Sequence, residues 1–113
     1  MCFFVDVGCG IGGSSAALAD RFSANVLGVD LSANMISIAK ERYSERSDLN
    51  FLVADALSIP IAPGSLDLVY SRDTVLHFDI YEKKLLFLKA FEWLKPGGQV
   101  STNLKIFNSK KMR

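Results

Sequence analysis

The residues with most chemical potential gather at two places. The first is the run Gly8-Cys9-Gly10-Ile11-Gly12-Gly13, which closes an apolar stretch from Phe3 to Val7 and opens a helical one from Ser14 to Phe22. Glycines at a strand-to-helix junction let a ligand approach the backbone, and the helix N-terminus offers N–H groups without intrahelical partners. Gly8, Gly10 and Gly13 have the G-x-G-x-x-G spacing of dinucleotide sites. Asp30 follows about twenty residues later, where a carboxylate can hold a ribose. A tight turn that binds nothing is the plain alternative. The second place is Arg72-Asp73-Thr74-Val75-Leu76-His77, which contains the only histidine of the chain. In a helical segment Asp73 and His77, four apart, share a face; the carboxylate then orients the imidazole, and the imidazole can accept or relay a proton. A loop or helix histidine bonded to backbone is the plain alternative there.

Asp6 decides between ligands at the glycine turn. A carboxylate two residues before Gly8 opposes a pyrophosphate, which weighs against a nicotinamide cofactor, and suits a cation. S-adenosylmethionine fits this pattern, with an ammonium, a sulfonium, a ribose and no phosphate. Asp30 then accepts from the ribose hydroxyls and Asp55 from the adenine amino group. Arg72 has three readings: cofactor contact, phosphate contact, or solvated charge. Cys9 lies in the turn with neither a partner base nor a metal set, and is assigned no chemistry.

Alternating strands and helices are needed to position these groups. Phe3 to Val7, Asn25 to Val29, Phe51 to Asp55 and Leu66 to Ser71 read as strands, and a fifth begins near Gln99. Ser32 can cap a helix carrying Met35, Ile36, Ala39 and Tyr43. Asp79 and Glu82 form a capping box before a helix with Phe87, Leu88, Phe91 and Leu94 on one face, stopped by Lys95-Pro96-Gly97-Gly98. Tyr70, Trp93 and the Phe87/Phe91 stripe read as core. Such alternation predicts an α/β fold, a Rossmann-like three-layer sandwich around a mostly parallel sheet, with ligands at the carboxyl ends of the strands. The acids and glycines fall at those ends.

Composition sets the outer limits. With 113 residues, half of them apolar, the chain fits one domain able to bury its own core. Thirteen basic residues against twelve acidic ones give a net charge of +1, too little to draw in a nucleic-acid backbone. Two cysteines and one histidine supply neither a disulfide framework nor a zinc set, and point to a reducing, cytoplasmic setting. Met1 to Val5 is apolar but stops at Asp6, so it reads as neither signal peptide nor membrane span.

Four segments in order, Val5-Asp6-Val7-Gly8-Cys9-Gly10-Ile11-Gly12, Gly28-Val29-Asp30-Leu31-Ser32, Ala54-Asp55-Ala56 and Trp93-Leu94-Lys95-Pro96-Gly97-Gly98, resemble the class I S-adenosylmethionine-dependent methyltransferases. The run Val69 to His77 is similar to the phosphoethanolamine N-methyltransferases. This resemblance implies transfer of a methyl from S-adenosylmethionine to the nitrogen of phosphoethanolamine or its methylated derivatives, towards phosphocholine, with S-adenosylhomocysteine as product. It implies cofactor contacts at Asp6, Gly8, Gly10, Asp30, Leu31, Asp55, Ala56, Ser71 and Arg72, and catalytic roles for Asp73 and His77. The alternatives are a non-catalytic S-adenosylmethionine-binding fragment, or transfer to another small molecule such as a sterol or quinone. Residues 1–100 are expected to form the cofactor-binding core of an incomplete methyltransferase fold, strands one to five. Residues 101–113 depart from the family pattern and read as an atypical tail, which leaves strand five as an open edge.

Overall fold

The computed structural model describes residues 1–72, 78–102 and, for the backbone alone, 106–108. Its strands are β1 (Cys2–Val7), β2 (Ala24–Asp30), β3 (Leu49–Val53), β4 (Leu66–Ser71), β5 (Leu94–Thr102) and β6 (Ile106–Asn108). The helices are α1 (Gly13–Phe22), α2 (Ala33–Arg42) and α3 (Ile80–Trp93), and a 3-10 turn spans Ala56–Ser58. One sheet has the order β3-β2-β1-β4-β5-β6. Strands β1 to β5 pair in parallel and β6 runs antiparallel to β5. The chain reverses its order of travel across the sheet between β1 and β4, the switch point at which ligands of such sheets bind.

Alternation along β1 assigns the two faces. Phe4 packs with Ala16, Ala19, Ile36 and Ala39 beneath α1 and α2, whereas Val5 and Val7 pack with Leu86, Ala90 and Trp93 of α3. Asp6 follows Phe4 on the α1 face and is only 1% exposed. The two apolar layers therefore clamp β1 from both sides, which fixes where Asp6 and the glycine turn leave the sheet.

Several expectations shift in detail. Strand β3 runs Leu49–Val53 and not Phe51 to Asp55, because Val26 to Asp30 pair with Leu49 to Val53 and Asp55 leaves the sheet to cap the 3-10 turn. On α3 the buried residues are Leu86, Ala90 and Trp93, with Phe87 and Phe91 packed at the margin; Leu88 is 69% exposed. The capping box forms as expected: Asp79 Oδ1 accepts from Glu82 N at 2.8 Å, and Glu82 Oε1 accepts from Asp79 N at 3.2 Å.

Strand β5 starts at Leu94, before the Pro-Gly-Gly segment and not after it. Lys95 precedes a proline and is disfavoured in helix, and Leu94 is already extended and pairs with Leu66. The next pair is Leu68 with Gln99, so the glycines form a bulge; a Cβ on Gly98 would lie 2.9 Å from Leu94 Cδ2. The outer edge of β5 is not open. Gln99, Val100 and Ser101 pair with Asn108, Phe107 and Ile106, so the segment read as an atypical tail supplies a sixth strand and takes up backbone groups that the edge would expose.

Candidate functional site

The glycine turn is held by β2. Gly8 N and Cys9 N both donate to Val29 O, at 2.8 and 3.0 Å. Gly8, Gly10 and Gly12 adopt φ of 76°, 56° and 93°, a region costly to any residue with a Cβ. Gly12 is constrained twice, since a Cβ there would also meet the rings of Phe51 and Tyr43 at 2.9 to 3.0 Å.

Asp30 joins the turn to the second helix. Its Oδ2 accepts from Gly10 N and its Oδ1 from Ser32 N, both at 2.9 Å. Ser32 in turn caps α2, its hydroxyl accepting from Met35 N at 3.2 Å. Each carboxylate oxygen has two acceptor positions, so one on each remains for a ligand. At the end of β3, Asp55 Oδ1 accepts from Leu57 N at 2.9 Å, and Ala54 N donates to Asp30 O at 3.0 Å. Three strand ends are thus tied side by side.

Between them lies a cleft of about 110 Å³ lined by Val7, Gly8, Val29, Asp30, Leu31, Ala54, Asp55, Ala56 and Phe78. Leu31 is 74% exposed and forms an apolar lip. Five residues selected from sequence therefore share one cleft: Gly8, Asp30, Leu31, Asp55 and Ala56. Gly10 adjoins it through Asp30. Phe78 was not singled out, because nothing in its spacing separates it from core aromatics.

Asp6 lies beneath the turn. Its Oδ2 accepts from Ser14 Oγ at 2.5 Å and from Ser15 Oγ at 2.8 Å, while Oδ1 has no partner among the described residues. Burial pushes the carboxyl up to about 6; the two serine hydroxyls pull it down and the Asp30 charge adds a smaller upward push. Burial, with Asp6 and Asp30 nearby, also raises the Cys9 thiol to about 12. A thiol so placed stays protonated and is a poor nucleophile. Sequence reasoning missed Ser14 and Ser15; the available signal was two hydroxyls in the first turn of the helix after the glycines.

At the end of β4, Ser71 is 2% exposed and its hydroxyl has no partner among the described residues. Arg72 is exposed and borders a different depression, a groove of about 550 Å³ between α1 and strands β4 and β5 that also includes Ser14, Arg21, Tyr70 and Ser101. The structure does not bring Arg72 into the cleft with Asp30. Tyr70, read as core, is half-buried on the wall of that groove. Asp73 and His77 lie outside the described residues.

A parallel sheet with helices on both faces, a glycine turn at the switch point and acids closing the ends of β2 and β3 define a Rossmann-like nucleoside-binding fold. The methyltransferase domain family matches residues 4–98, and the chain belongs to that family. Phosphoethanolamine N-methyltransferase 1 of Triticum aestivum is 50% identical over 97 residues, which are 85% of this chain and 19% of that protein. A Haemonchus contortus phosphoethanolamine N-methyltransferase 2, solved with phosphomonomethylethanolamine and S-adenosylhomocysteine, superposes with a TM-score of 0.83 at 37% identity. That match covers 89% of this chain and 24% of the other. Geranyl diphosphate C-methyltransferase of Streptomyces coelicolor, solved with Mg2+, geranyl diphosphate and S-adenosyl-L-homocysteine, gives 0.81 at 30% identity, covering 90% and 37%. The chain spans about a fifth of the length of the curated relatives it matches first.

Proposed function

We propose that this chain is the S-adenosylmethionine-binding core of a methyltransferase acting on phosphoethanolamine or its methylated derivatives, towards phosphocholine. The observation that carries the cofactor reading is Asp30, bonded to Gly10 and Ser32 with acceptor capacity left on both oxygens inside the cleft. The residues present fit the cofactor. Asp30 would hold the ribose, Asp55 the adenine amino group, and Leu31 and Ala56 the faces of the base. Gly8 and Gly10 admit the ligand to the backbone, and the buried Oδ1 of Asp6, without a partner among the described residues, suits its ammonium. Ser71 and Arg72, at the end of β4, would complete the cofactor contacts from outside this cleft.

When bound, S-adenosylmethionine supplies an electrophilic methyl on a sulfonium that is already a good leaving group. The protein's part is then to align a neutral nitrogen with that methyl. An amino-alcohol phosphate arrives mostly as ammonium at neutral pH. His77, oriented by Asp73, would accept that proton. Identity of 50% to the wheat enzyme supports this acceptor, and the Streptomyces neighbour shows that the same fold also serves a prenyl diphosphate enzyme. We place the reaction in the cytoplasm, where the exposed Cys2 and buried Cys9 thiols remain reduced. No helix among the described residues is long and apolar enough to cross a membrane.

The test is methyl transfer from labelled S-adenosylmethionine to a panel of phosphoethanolamine, its mono- and dimethyl forms, a sterol and a quinone. Transfer to phosphobases that falls about 10²- to 10⁴-fold in His77→Ala supports the reading. Transfer to a sterol or quinone alone reassigns the acceptor. Cofactor binding without transfer to any acceptor would leave a non-catalytic binding fragment.

A further inference from the structure

We propose that Ser14 and Ser15 are positioning residues that present the Asp6 carboxylate to the ammonium of the cofactor, an inference that rests on the cofactor reading above. Both hydroxyls bond the same oxygen, Oδ2, at 2.5 and 2.8 Å, and Oδ1 keeps no partner among the described residues. Buried carboxylate oxygens are costly to leave unpaired, and a site that leaves one has capacity for a donor from outside the chain. The split is one-sided. Two donors on Oδ2 fix the rotation of the carboxyl group and favour its ionised form, while Oδ1 keeps its acceptor capacity unused among the described residues.

The surrounding elements make room for this arrangement. Asp6 pairs in register with Gly28 on β2 and Tyr70 on β4. A Cβ on Gly28 would lie 2.9 Å from Ser15 Oγ and 2.9 Å from Cys9 Sγ, so the missing side chain leaves the space that the Ser15 hydroxyl occupies. Ser15 is fully buried and Asp6 is 1% exposed. The titratable and charged groups around Asp6 are the Cys9 thiol in the turn, Asp30 on β2 and the Tyr70 phenol on β4. Arg21 and Arg72 border the groove beside Ser14. None of these donates to Asp6 among the described residues, so its hydrogen bonds there come from the two serines alone.

The experiment compares two probes on the 113-residue chain: S-adenosylhomocysteine, which carries the ammonium, and 5′-methylthioadenosine, which lacks it. Calorimetric titrations are run between pH 5 and 8 on the wild type, Ser14→Ala, Ser15→Ala and Ser14→Thr. The expected result is S-adenosylhomocysteine affinity that falls about tenfold per pH unit below the Asp6 transition. In each alanine variant that transition moves upward by about one unit and affinity at pH 6.5 drops up to about tenfold. Ser14→Thr, which keeps a hydroxyl, stays near wild type. 5′-Methylthioadenosine affinity stays within about twofold throughout, which also shows that each variant is folded. Equal losses for both probes, or a pH profile unmoved by the serine changes, overturn the proposal while leaving the nucleoside site standing. Failure of the wild type to bind either probe overturns the cofactor reading itself.

Discussion

Asp30 braces the glycine turn and the start of α2 with the same two oxygens that the proposed site offers to the ribose. Replacing it with alanine removes acceptors from Gly10 N and Ser32 N, so two effects are expected together: loss of saturable S-adenosylhomocysteine binding, and destabilisation by about 1–3 kcal/mol. Asp30→Asn separates them, because one amide oxygen still accepts while the charge that attracts ribose hydroxyls is gone. Urea denaturation should show a smaller loss than for alanine, with binding still impaired. Asp6 gives a second residue-scale prediction. Its carboxyl titrates near 6 in the fold against an ordinary value of 3.8, so between those pH values the native state holds more proton than the unfolded chain. Stability of the ligand-free chain therefore falls as pH rises from about 4 to 6, by about 3 kcal/mol in all, and levels off above. Asp6→Asn should flatten that part of the curve; an unchanged slope in the variant would assign it to other groups. The acids Asp6, Asp30 and Asp55 were legible because each falls near the carboxyl end of an apolar run in the sequence. Ser14 and Ser15 were not, since a serine in a first helical turn is read as a helix-start residue and its distant partner becomes visible only when α1 lies on β1.

At the scale of elements, the starts of α2 and α3 followed from side-chain chemistry and strand limits from pairing. The Ser32 cap and the Asp79–Glu82 box are local bonds written within three residues, and both formed where the sequence placed them. Asp79→Ala should cost about 1 kcal/mol by urea denaturation, with little effect on nucleoside binding because α3 packs on the other face of the sheet from Asp6. Strand β3 and the start of β5 were displaced because register with β2 and β4 is a long-range property that propensity does not encode. The exposure of Leu88 has the same origin: the stripe Leu86-Ala90-Trp93 is set by what the sheet presents, not by which residues of α3 are apolar. Gly28→Ala tests the coupling of element to site. The added methyl would sit within 2.9 Å of Phe51, Cys9 and Ser15 atoms, so we expect a cost of about 1–3 kcal/mol together with weaker cofactor binding as Ser15 is pushed from Asp6. Thermal melting and titration of the same sample would reveal whether the two losses travel together.

Across the whole molecule, the proposed nucleoside cleft is built from the ends of β1, β2 and β3, with Ala56 of the 3-10 turn and Phe78 ahead of α3 closing it. Arg46 ties that half together from below, bonding Asp48 ahead of β3 and Asp20 on α1 at 2.7 to 2.9 Å. The acceptor-side residues proposed above, Asp73 and His77, lie outside the described residues, and the chain corresponds to about a fifth of the length of its first-matched curated relatives. Binding and turnover are therefore separable properties here. The most direct test is a calorimetric titration of the 113-residue chain with S-adenosylhomocysteine, run beside Asp30→Asn and beside NADH. Saturable binding of S-adenosylhomocysteine that Asp30→Asn clearly weakens, with none of NADH, is the predicted result. A folded chain that binds no S-adenosylhomocysteine, or binds it equally well with Asp30 replaced, would contradict the assignment of the cleft.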